Sequence, residues 1–255
     1  MKQFPLVFKH YLMRTLKDRL SLGIQFALPV GLILMMAFQV ADYVTAEHGA
    51  EFVQQAMTDV AISYVFSFSL FGGQMFLGYL YNDLKQARKW RLFVAPVDTS
   101  MFELAALFGS FTISIFNSLV IMAVATIFTD VQWGNLGVVF LTLLLTTTLS
   151  HFFNYFLAIL IKTSRVADMI SLVTTMVFAI LGGGIIIGFH ETINLPITDF
   201  LFEYGTPLSL ARRAVFYAGA MNDDMTVAMW NMLILASVAA VFVILTLILG
   251  KVRKR

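Results

Sequence analysis

The chain contains no cysteine and few charged residues. The absence of cysteine excludes disulfide bonds and thiolate chemistry, although it does not fix the cellular compartment. Only 13% of the 255 residues are charged and 59% are hydrophobic, whereas about a quarter of the residues of an average soluble domain are charged. This shortage of charge indicates that lipid is the main solvent of the protein.

Motifs of the common enzyme classes are also missing. The sequence has no G-x-x-x-x-G-K-[ST] loop for nucleotides and no G-x-S-x-G motif of a hydrolase nucleophile. His190-Glu191 lacks the second histidine of a zinc-protease helix, and the four histidines are spread along the chain. We therefore expect no catalytic residue, metal site or cofactor in this chain.

The sequence does contain six long hydrophobic runs, each near the roughly 20 residues that a helix needs to cross a bilayer. They lie at about 21–41, 59–81, 101–129, 135–161, 167–189 and 225–250. We expect one all-α membrane domain over residues 1–255 with six transmembrane helices, numbered here as spans one to six.

The basic residues cluster on one side of these spans. Of the 17 Lys and Arg residues, 15 fall in the N-terminal flank, the connections between spans two and three and between spans four and five, and the C-terminal tail. Because short cytoplasmic loops carry an excess of Lys and Arg, we expect both termini in the cytoplasm.

Residues 4–20 precede span one and combine spaced apolar residues with lysines. The apolar positions are Phe4, Val7, Phe8, Tyr11, Leu12 and Leu16. The pattern favours a helix in the inner membrane interface, with its apolar face toward lipid and its lysines toward lipid phosphates. The alternative is an ordinary basic flank with chance periodicity.

The connection between spans two and three holds the longest charged segment between hydrophobic runs. Residues Asp83–Val94 are predicted to form a short helix that ends before Pro96. Its basic residues are Lys85, Arg88, Lys89 and Arg91. In a membrane protein without catalytic machinery, such a helix is a candidate docking point for another protein.

Span two carries a polar stripe of Ser63, Ser67 and Gln74 beside phenylalanines such as Phe66. One interpretation is that these groups bond backbone carbonyls or neighbouring helices, as small polar residues do in membranes. The other is that they form a wall facing a substrate.

Span four carries the most polar patch inside the membrane, in which His151 and Asn154 share a face with Thr147. An ionisable residue within a span is a functional candidate. His151 is therefore either a hydrogen-bonded structural residue or, with Asn154, part of a polar relay.

Residues 190–224 are too apolar for a plain connector. Thr206-Pro207 predicts the start of a short helix and Gly219 its end. We expect short re-entrant helices here that dip into the outer leaflet before span six. Arg212 and Arg213 either pair with acidic side chains or lipid phosphate, or contact an anionic passenger.

One fragment resembles a known family. RLFVAPVDTSMFELAALFGS (Arg91–Ser110) is similar to the consensus of the membrane subunits of type-2 ABC exporters. An interfacial helix, a basic helix between spans two and three and a helical excursion before span six resemble the same family. Family members often carry Glu before the basic helix, where this chain has Asn82 and Asp83.

The resemblance implies a role for the basic helix as a coupling helix, which in the family inserts into a cleft of a separate ATPase subunit. The coupling residues would be Asp83, Lys85, Arg88, Lys89, Arg91 and Leu92. ATP and magnesium would bind to the partner ATPase. The resemblance also implies a second permease subunit, of like or unlike sequence, with a passenger path between the two along spans two and five. Its lining residues would be Ser63, Phe66, Ser67, Gln74, Ser171, Thr174, Thr175 and Phe178.

The expected function is ATP-driven export across the cytoplasmic membrane of a bacterium. A path rich in Phe, Met and hydroxyl groups favours a hydrophobic or amphipathic passenger, such as a drug, lipid or antimicrobial peptide, and hence a role in multidrug or peptide resistance. One alternative is an ion- or proton-coupled secondary transporter with His151 as the titrating group. Another is a membrane scaffold without transport. No nucleic-acid partner is expected.

Overall fold

The structure is built from helices. The computed structural model describes residues 4–17, 23, 25–35, 50–85, 99–129, 131–183, 200 and 203–253. In chain order the helices are α1 (Phe4–Lys17), α2 (Gln25–Met35), α3 (Ala50–Tyr79), α4 (Thr99–Thr129), α5 (Leu136–Leu160), α6 (Ser164–Leu181), α7 (Pro207–Phe216) and α8 (Met225–Arg253). A π-helical stretch, Leu80–Lys85, continues α3. These residues contain no β-strand, so the prediction of an all-α fold is confirmed.

Five helices, α3, α4, α5, α6 and α8, are long and apolar enough to cross a membrane. They correspond to predicted spans two to six and indicate a multi-pass membrane protein. Predicted span one contains α2, which is shorter than a span, and most other residues of that run lie outside the described residues. The count of six spans therefore stays a prediction.

Helix α3 begins earlier than the sequence indicated. It starts at Ala50, whereas predicted span two begins at about residue 59. Polar residues such as Glu51, Gln54 and Gln55 lower the hydropathy of its first turns, and contacts with distant segments hold the helix next to them. The Thr58 hydroxyl accepts a hydrogen bond from the Gln132 backbone N–H at 3.2 Å, and Asp59 pairs with Arg212.

The short helix before span six is confirmed as α7. The Thr206 hydroxyl caps it by accepting a hydrogen bond from the Ser209 backbone N–H at 3.0 Å, and Pro207 opens the first turn. The chain turns away at Gly219, whose φ of +96° suits a residue without a side chain. The re-entrant placement of this helix stays a prediction.

The apolar face of α1 packs on protein, whereas the sequence pattern predicted contact with lipid. The Phe4 ring lies 6.2 Å from that of Phe108 on α4, and Tyr11 is only 2% exposed. Leu6 and Leu16, together with nearby lysines, lie on the exposed face. The prediction was wrong about which face is free, because a single sequence does not show which neighbour covers an amphipathic helix.

Helix α3 is the centre of the bundle. In its most apolar segment 78% of the residues are buried, compared with 22% in α6 and 17% in α8. It packs against α4, α5, α6 and α7. Helices α6 and α8 instead direct many apolar side chains outward, as lipid-facing helices do.

Candidate functional site

The end of the bundle that holds α1 brings together a buried ionic cluster, which we call the Asp83 cluster (Tyr11, Arg14, Thr15, Tyr79 and Asp83). Arg14 Nη1 lies 2.5 Å from Asp83 Oδ2, and the Tyr11 hydroxyl donates to the same oxygen at 3.0 Å. The Asp83 side chain is 9% exposed. One carboxylate therefore joins the N-terminal helix to the end of α3.

Aromatic and hydroxyl contacts reinforce this junction. The Arg14 guanidinium lies 5.0 Å from the centre of the Tyr79 ring, within cation–π range. Thr15 donates to the Tyr11 carbonyl at 2.9 Å, and its hydroxyl also contacts that of Tyr79. Burial and the negative charge of Asp83 raise the pKa of Tyr11 well above its ordinary value, so the phenol keeps its proton to a higher pH than an exposed tyrosine does.

Two further tyrosines tie neighbouring helices together at the same end. Tyr81, in the π-helical stretch, donates to the Ile161 carbonyl at 2.8 Å, just after α5. Tyr155 of α5 donates to Glu103 Oε2 near the start of α4 at 2.6 Å. The segments on both sides of residues 86–98 are thus held by side-chain hydrogen bonds to other helices.

The predicted coupling residues lie mostly outside the described part of the chain. Asp83 is in the buried cluster, and the backbone of Lys85 ends the π-helical stretch. Arg88, Lys89, Arg91 and Leu92 lie outside the described residues, so the coupling helix itself stays a prediction.

The residues of α3 predicted to line a passenger path lie inside the bundle. Ser63, Phe66 and Ser67 are at most 2% exposed, whereas Gln74 is partly exposed. The Ser63 hydroxyl approaches Asp59 Oδ1 at 3.4 Å. The Ser67 hydroxyl has no hydrogen-bond partner among the described residues.

The residues of α6 in the same predicted path divide into two groups. Ser171 and Thr175 are buried, whereas Thr174 and Phe178 are partly exposed. Thr175 and Phe178 also line an apolar cavity that they share with α8.

Polar groups midway along the helices join α3, α5 and α6. Ser150 accepts a hydrogen bond from the Gly73 N–H at 3.1 Å and donates to the Leu70 carbonyl. Asn154 donates to the Ser150 carbonyl at 2.9 Å, and Ser171 donates to Asn154 Oδ1 at 2.6 Å. Asn154 therefore connects α5 to the predicted path residue Ser171.

His151 lies beside this network in a largely aromatic cage. Its Nδ1 lies 2.8 Å from the Thr147 carbonyl, and its ring lies 5.4 Å from that of Phe111 and 6.2 Å from that of Phe76. Its Nε2 makes no well-aligned hydrogen bond to the described residues. The hydrogen bonds of His151 and Asn154 go to different partners, and their role as a relay stays a prediction.

Gly72 and Gly73 allow α3 to approach α4 and α5 closely, which was not predicted from the sequence. A Cβ atom at Gly73 would lie 2.6 Å from both Ser150 Oγ and Asn154 Nδ2. At Gly72 it would collide with the Ser114 hydroxyl of α4. Paired glycines within a span are a sign of close helix contacts that could have identified this position.

The opposite end of the bundle, which holds α7, contains an arginine clamp. Arg212 Nε lies 2.8 Å from Asp59 Oδ1, and its Nη2 donates to Asp59 Oδ2 at 3.0 Å. Its Nη1 donates to the Gly182 carbonyl at 3.0 Å. Arg212 thus joins α7 to the start of α3 and the end of α6, although the sequence did not identify Asp59 as its partner.

Arg213 makes a separate set of contacts. It pairs with Glu203 at 3.3 Å, and its guanidinium lies 4.6 Å from the centre of the Tyr204 ring. Pairing with Glu203 is one of the structural roles expected from the sequence. Both arginines thus have acidic partners within the described chain.

Comparisons with known proteins assign no family: no family model matches the chain, and no curated protein matches it. Among the residues that the structure describes, no three His, Cys, Asp or Glu side chains are grouped so that they could hold a metal ion. A functional proposal therefore depends on the sequence pattern and on the geometry at the two ends of the bundle.

Proposed function

We propose that this chain is the transmembrane subunit of an ATP-driven type-2 ABC exporter that moves a hydrophobic or amphipathic molecule out of a bacterial cell. The ATPase, with its ATP and magnesium, is a separate subunit on the cytoplasmic side. A second permease subunit completes the transporter. Both termini lie in the cytoplasm, as the distribution of Lys and Arg indicates.

The observation that carries the proposal is the Asp83 cluster. The basic segment that follows Asp83 is where a motor would push, and Asp83 is held by Tyr11 and Arg14 of α1. A flexible attachment would absorb a displacement applied at this segment. A buried carboxylate bonded to two side chains instead passes the displacement to α1 and α3 together, which suits a rigid-body transition.

Helix α4, which follows the basic segment in the chain, is also held by contacts with other helices. Helix α1 packs along α4, where a Cβ atom added at Gly109 would lie 3.2 Å from Tyr11 Cβ. Glu103 of α4 also accepts the hydrogen bond from Tyr155. Helix α1 thus contacts both α3 and α4. A displacement that the ATPase applies to the segment between α3 and α4 would therefore move both helices together, as the proposed coupling requires.

The outward face of α6 is apolar, so it can face either lipid or a second permease subunit. Met169, Val173 and Met176 are each more than 40% exposed. In the proposed dimer this face meets either lipid or the partner, and the passenger moves beside it. The apolar character of this face agrees with a hydrophobic or amphipathic passenger.

A binding experiment tests the proposed docking. A candidate ABC ATPase is sought among the neighbouring genes, purified, and captured by the chain in detergent. Changing Lys85, Arg88, Lys89 and Arg91 to Ala should weaken capture at least about tenfold, because four charges are removed from the contact. The matched control changes Lys251, Arg253, Lys254 and Arg255, which carry the same charge in the tail, and should leave capture intact. Equal capture by both variants would refute the docking site.

A further inference from the structure

A cavity of about 230 Å³ lies between α3, α5, α6, α7 and α8, toward the α7 end of the bundle. Its walls are mainly Leu, Ile, Val and Phe side chains, and no charged side chain lines it. Tyr204, Gly205, Thr206 and Pro207 form the part of the wall nearest the start of α7.

Three of the four hydroxyl groups in the wall, those of Ser150, Thr206 and Tyr204, already have partners, and the Tyr204 hydroxyl accepts from Arg213 Nη2 at 3.1 Å. The Ser150 hydroxyl accepts from the Gly73 N–H and donates to the Leu70 carbonyl. The Thr206 hydroxyl accepts from the Ser209 N–H and contacts the Ser209 hydroxyl at 3.0 Å. A ligand in this cavity therefore gains little from polar groups of its own, and the wall selects hydrocarbon.

The volume limits the size of the ligand. An apolar cavity of about 150 Å³ holds benzene, whereas pockets for drug-sized molecules have about 300–1,000 Å³. At about 230 Å³, this cavity has room for a short length of one alkyl chain or for a single ring, and not for a whole drug molecule.

The cavity borders the surface that faces lipid. Thr175 and Phe178 of α6 line one side, and Ile234 and Val238 of α8 line another. These two helices, both fully described, make no extensive contact with each other. Ile234 lines the cavity and is also 38% exposed. The wall of the cavity is therefore continuous with the outer face of α8.

We propose that this cavity binds one alkyl chain of a membrane amphiphile, which enters sideways from the bilayer between α6 and α8. The wall is continuous with the lipid-facing surface, which indicates the bilayer as the source of the ligand. It is mainly apolar and has no charged side chain, which indicates that the hydrocarbon part of the ligand is bound. The binding of an alkyl chain at this site does not depend on the proposed function. Only the identification of the bound molecule as the exported passenger rests on that function.

Photolabelling tests the site without an ATPase. The purified chain in nanodiscs is irradiated with a long-chain fatty acid that carries a diazirine at its terminal carbon, and labelled peptides are mapped. Label should concentrate on the segments of α6 and α8 that line the cavity. Val238→Trp places an indole in the cavity and should reduce this label about tenfold. A ligand that must share the filled cavity with the indole binds more weakly, and about 1.4 kcal/mol of lost binding free energy corresponds to that factor.

Val241→Trp is the matched control. It places the same indole on the same helix, but Val241 is 52% exposed and does not line the cavity, so labelling should not change. Phe178→Trp is a milder second filling variant if Val238→Trp does not fold. Equal labelling of filled and control variants, or label spread evenly over the exposed faces of α4 and α8, would overturn the proposal.

Competition distinguishes the two ligands that the volume allows. Excess unlabelled palmitate should displace the probe, whereas toluene should not. Displacement by toluene alone would overturn the alkyl-chain proposal in favour of a site for a single ring. No ATPase is present in this experiment, so a negative result would refute the alkyl-chain site and not the proposed ATPase docking site. Failure of the docking experiment would likewise leave the alkyl-chain site standing.

Discussion

Arg14 and Asp83 lie 69 positions apart in the chain, yet Arg14 Nη1 is 2.5 Å from Asp83 Oδ2. The pair lies where α3 passes into its π-helical end, directly before the basic segment. The pair connects the N-terminal helix to the start of the proposed coupling segment. The strength of the Arg14–Asp83 interaction should be measurable as a loss of stability in single variants and as a coupling energy between the two residues.

A double-mutant cycle measures that coupling. Arg14→Ala and Asp83→Ala should each destabilise the protein, because each leaves a partly buried charge without its partner. Together they should cost less than the sum, with a coupling energy of about 1–3 kcal/mol in denaturant unfolding in detergent. Lys9, exposed on the same helix, supplies the control, and Lys9→Ala should add to Asp83→Ala without coupling. Simple additivity of Arg14 and Asp83 would show that the pair is not energetically linked.

The buried phenol of Tyr11 predicts a loss of stability at alkaline pH. Burial and the charge of Asp83 raise the pKa of Tyr11 above its ordinary value of 10.0, so the folded protein holds this proton more tightly than the unfolded chain does. Below about pH 10 both states are protonated and the stabilisation is complete; above it the unfolded chain loses the proton first, and the free energy of unfolding falls.

The melting temperature of the natural protein should therefore fall more steeply above about pH 10 than that of Tyr11→Phe, which has no proton to lose. Both proteins are compared in the same detergent and salt. Parallel curves would mean that the folded and unfolded states bind the Tyr11 proton equally well.

Two glycines of α3 should respond in opposite ways to the same substitution. Gly73→Ala places a methyl group 2.6 Å from Ser150 Oγ and Asn154 Nδ2, and the forced separation of α3 and α5 should cost about 1–3 kcal/mol. Gly78→Ala meets nothing within 4 Å and should stabilise the helix by about 0.5–1 kcal/mol. Thermal unfolding of the two variants measures both effects. If Gly73→Ala did not change the stability, that result would contradict the close approach of α3 and α5.

The absence of cysteine allows a clean test of orientation. Lys162, between α5 and α6, and Met221, between α7 and α8, are both exposed at opposite ends of the bundle. A single cysteine at Met221 should react with a membrane-impermeant maleimide in intact cells, and one at Lys162 only after permeabilisation. The reverse pattern would place α7 on the cytoplasmic side and remove the basis for a cytoplasmic coupling segment.

The sequence predicted features that depend on local pattern. Hydropathy located the five long helices, and Thr206-Pro207 marked the start of α7 because capping chemistry is local. The helix ends at Phe216, three residues before the predicted stop at Gly219. The pattern failed where a distant contact decides the outcome. Helix α3 begins nine residues before predicted span two, and there the Thr58 hydroxyl accepts a hydrogen bond from the distant Gln132 backbone N–H.

The same reason explains the missed parts of the candidate site. Tyr11 and Arg14 look like an apolar and a basic position of an interfacial helix, and nothing in residues 4–20 indicates a carboxylate at Asp83. The stripe of Ser63 and Ser67 was recognised, but the period of a helix does not tell whether its polar face meets a passage or the core. Tertiary packing, which a single sequence does not contain, decides both questions.

Site-specific cross-linking tests the central claim that an ATPase docks on the basic segment after Asp83. A single cysteine at Lys89 carries a benzophenone and is irradiated with the partner ATPase in membranes, and a cysteine at Lys251, in the C-terminal flank, is the control. We predict an ATPase adduct from position 89 and none from position 251. No adduct from position 89, or equal adducts from both positions, would contradict the account.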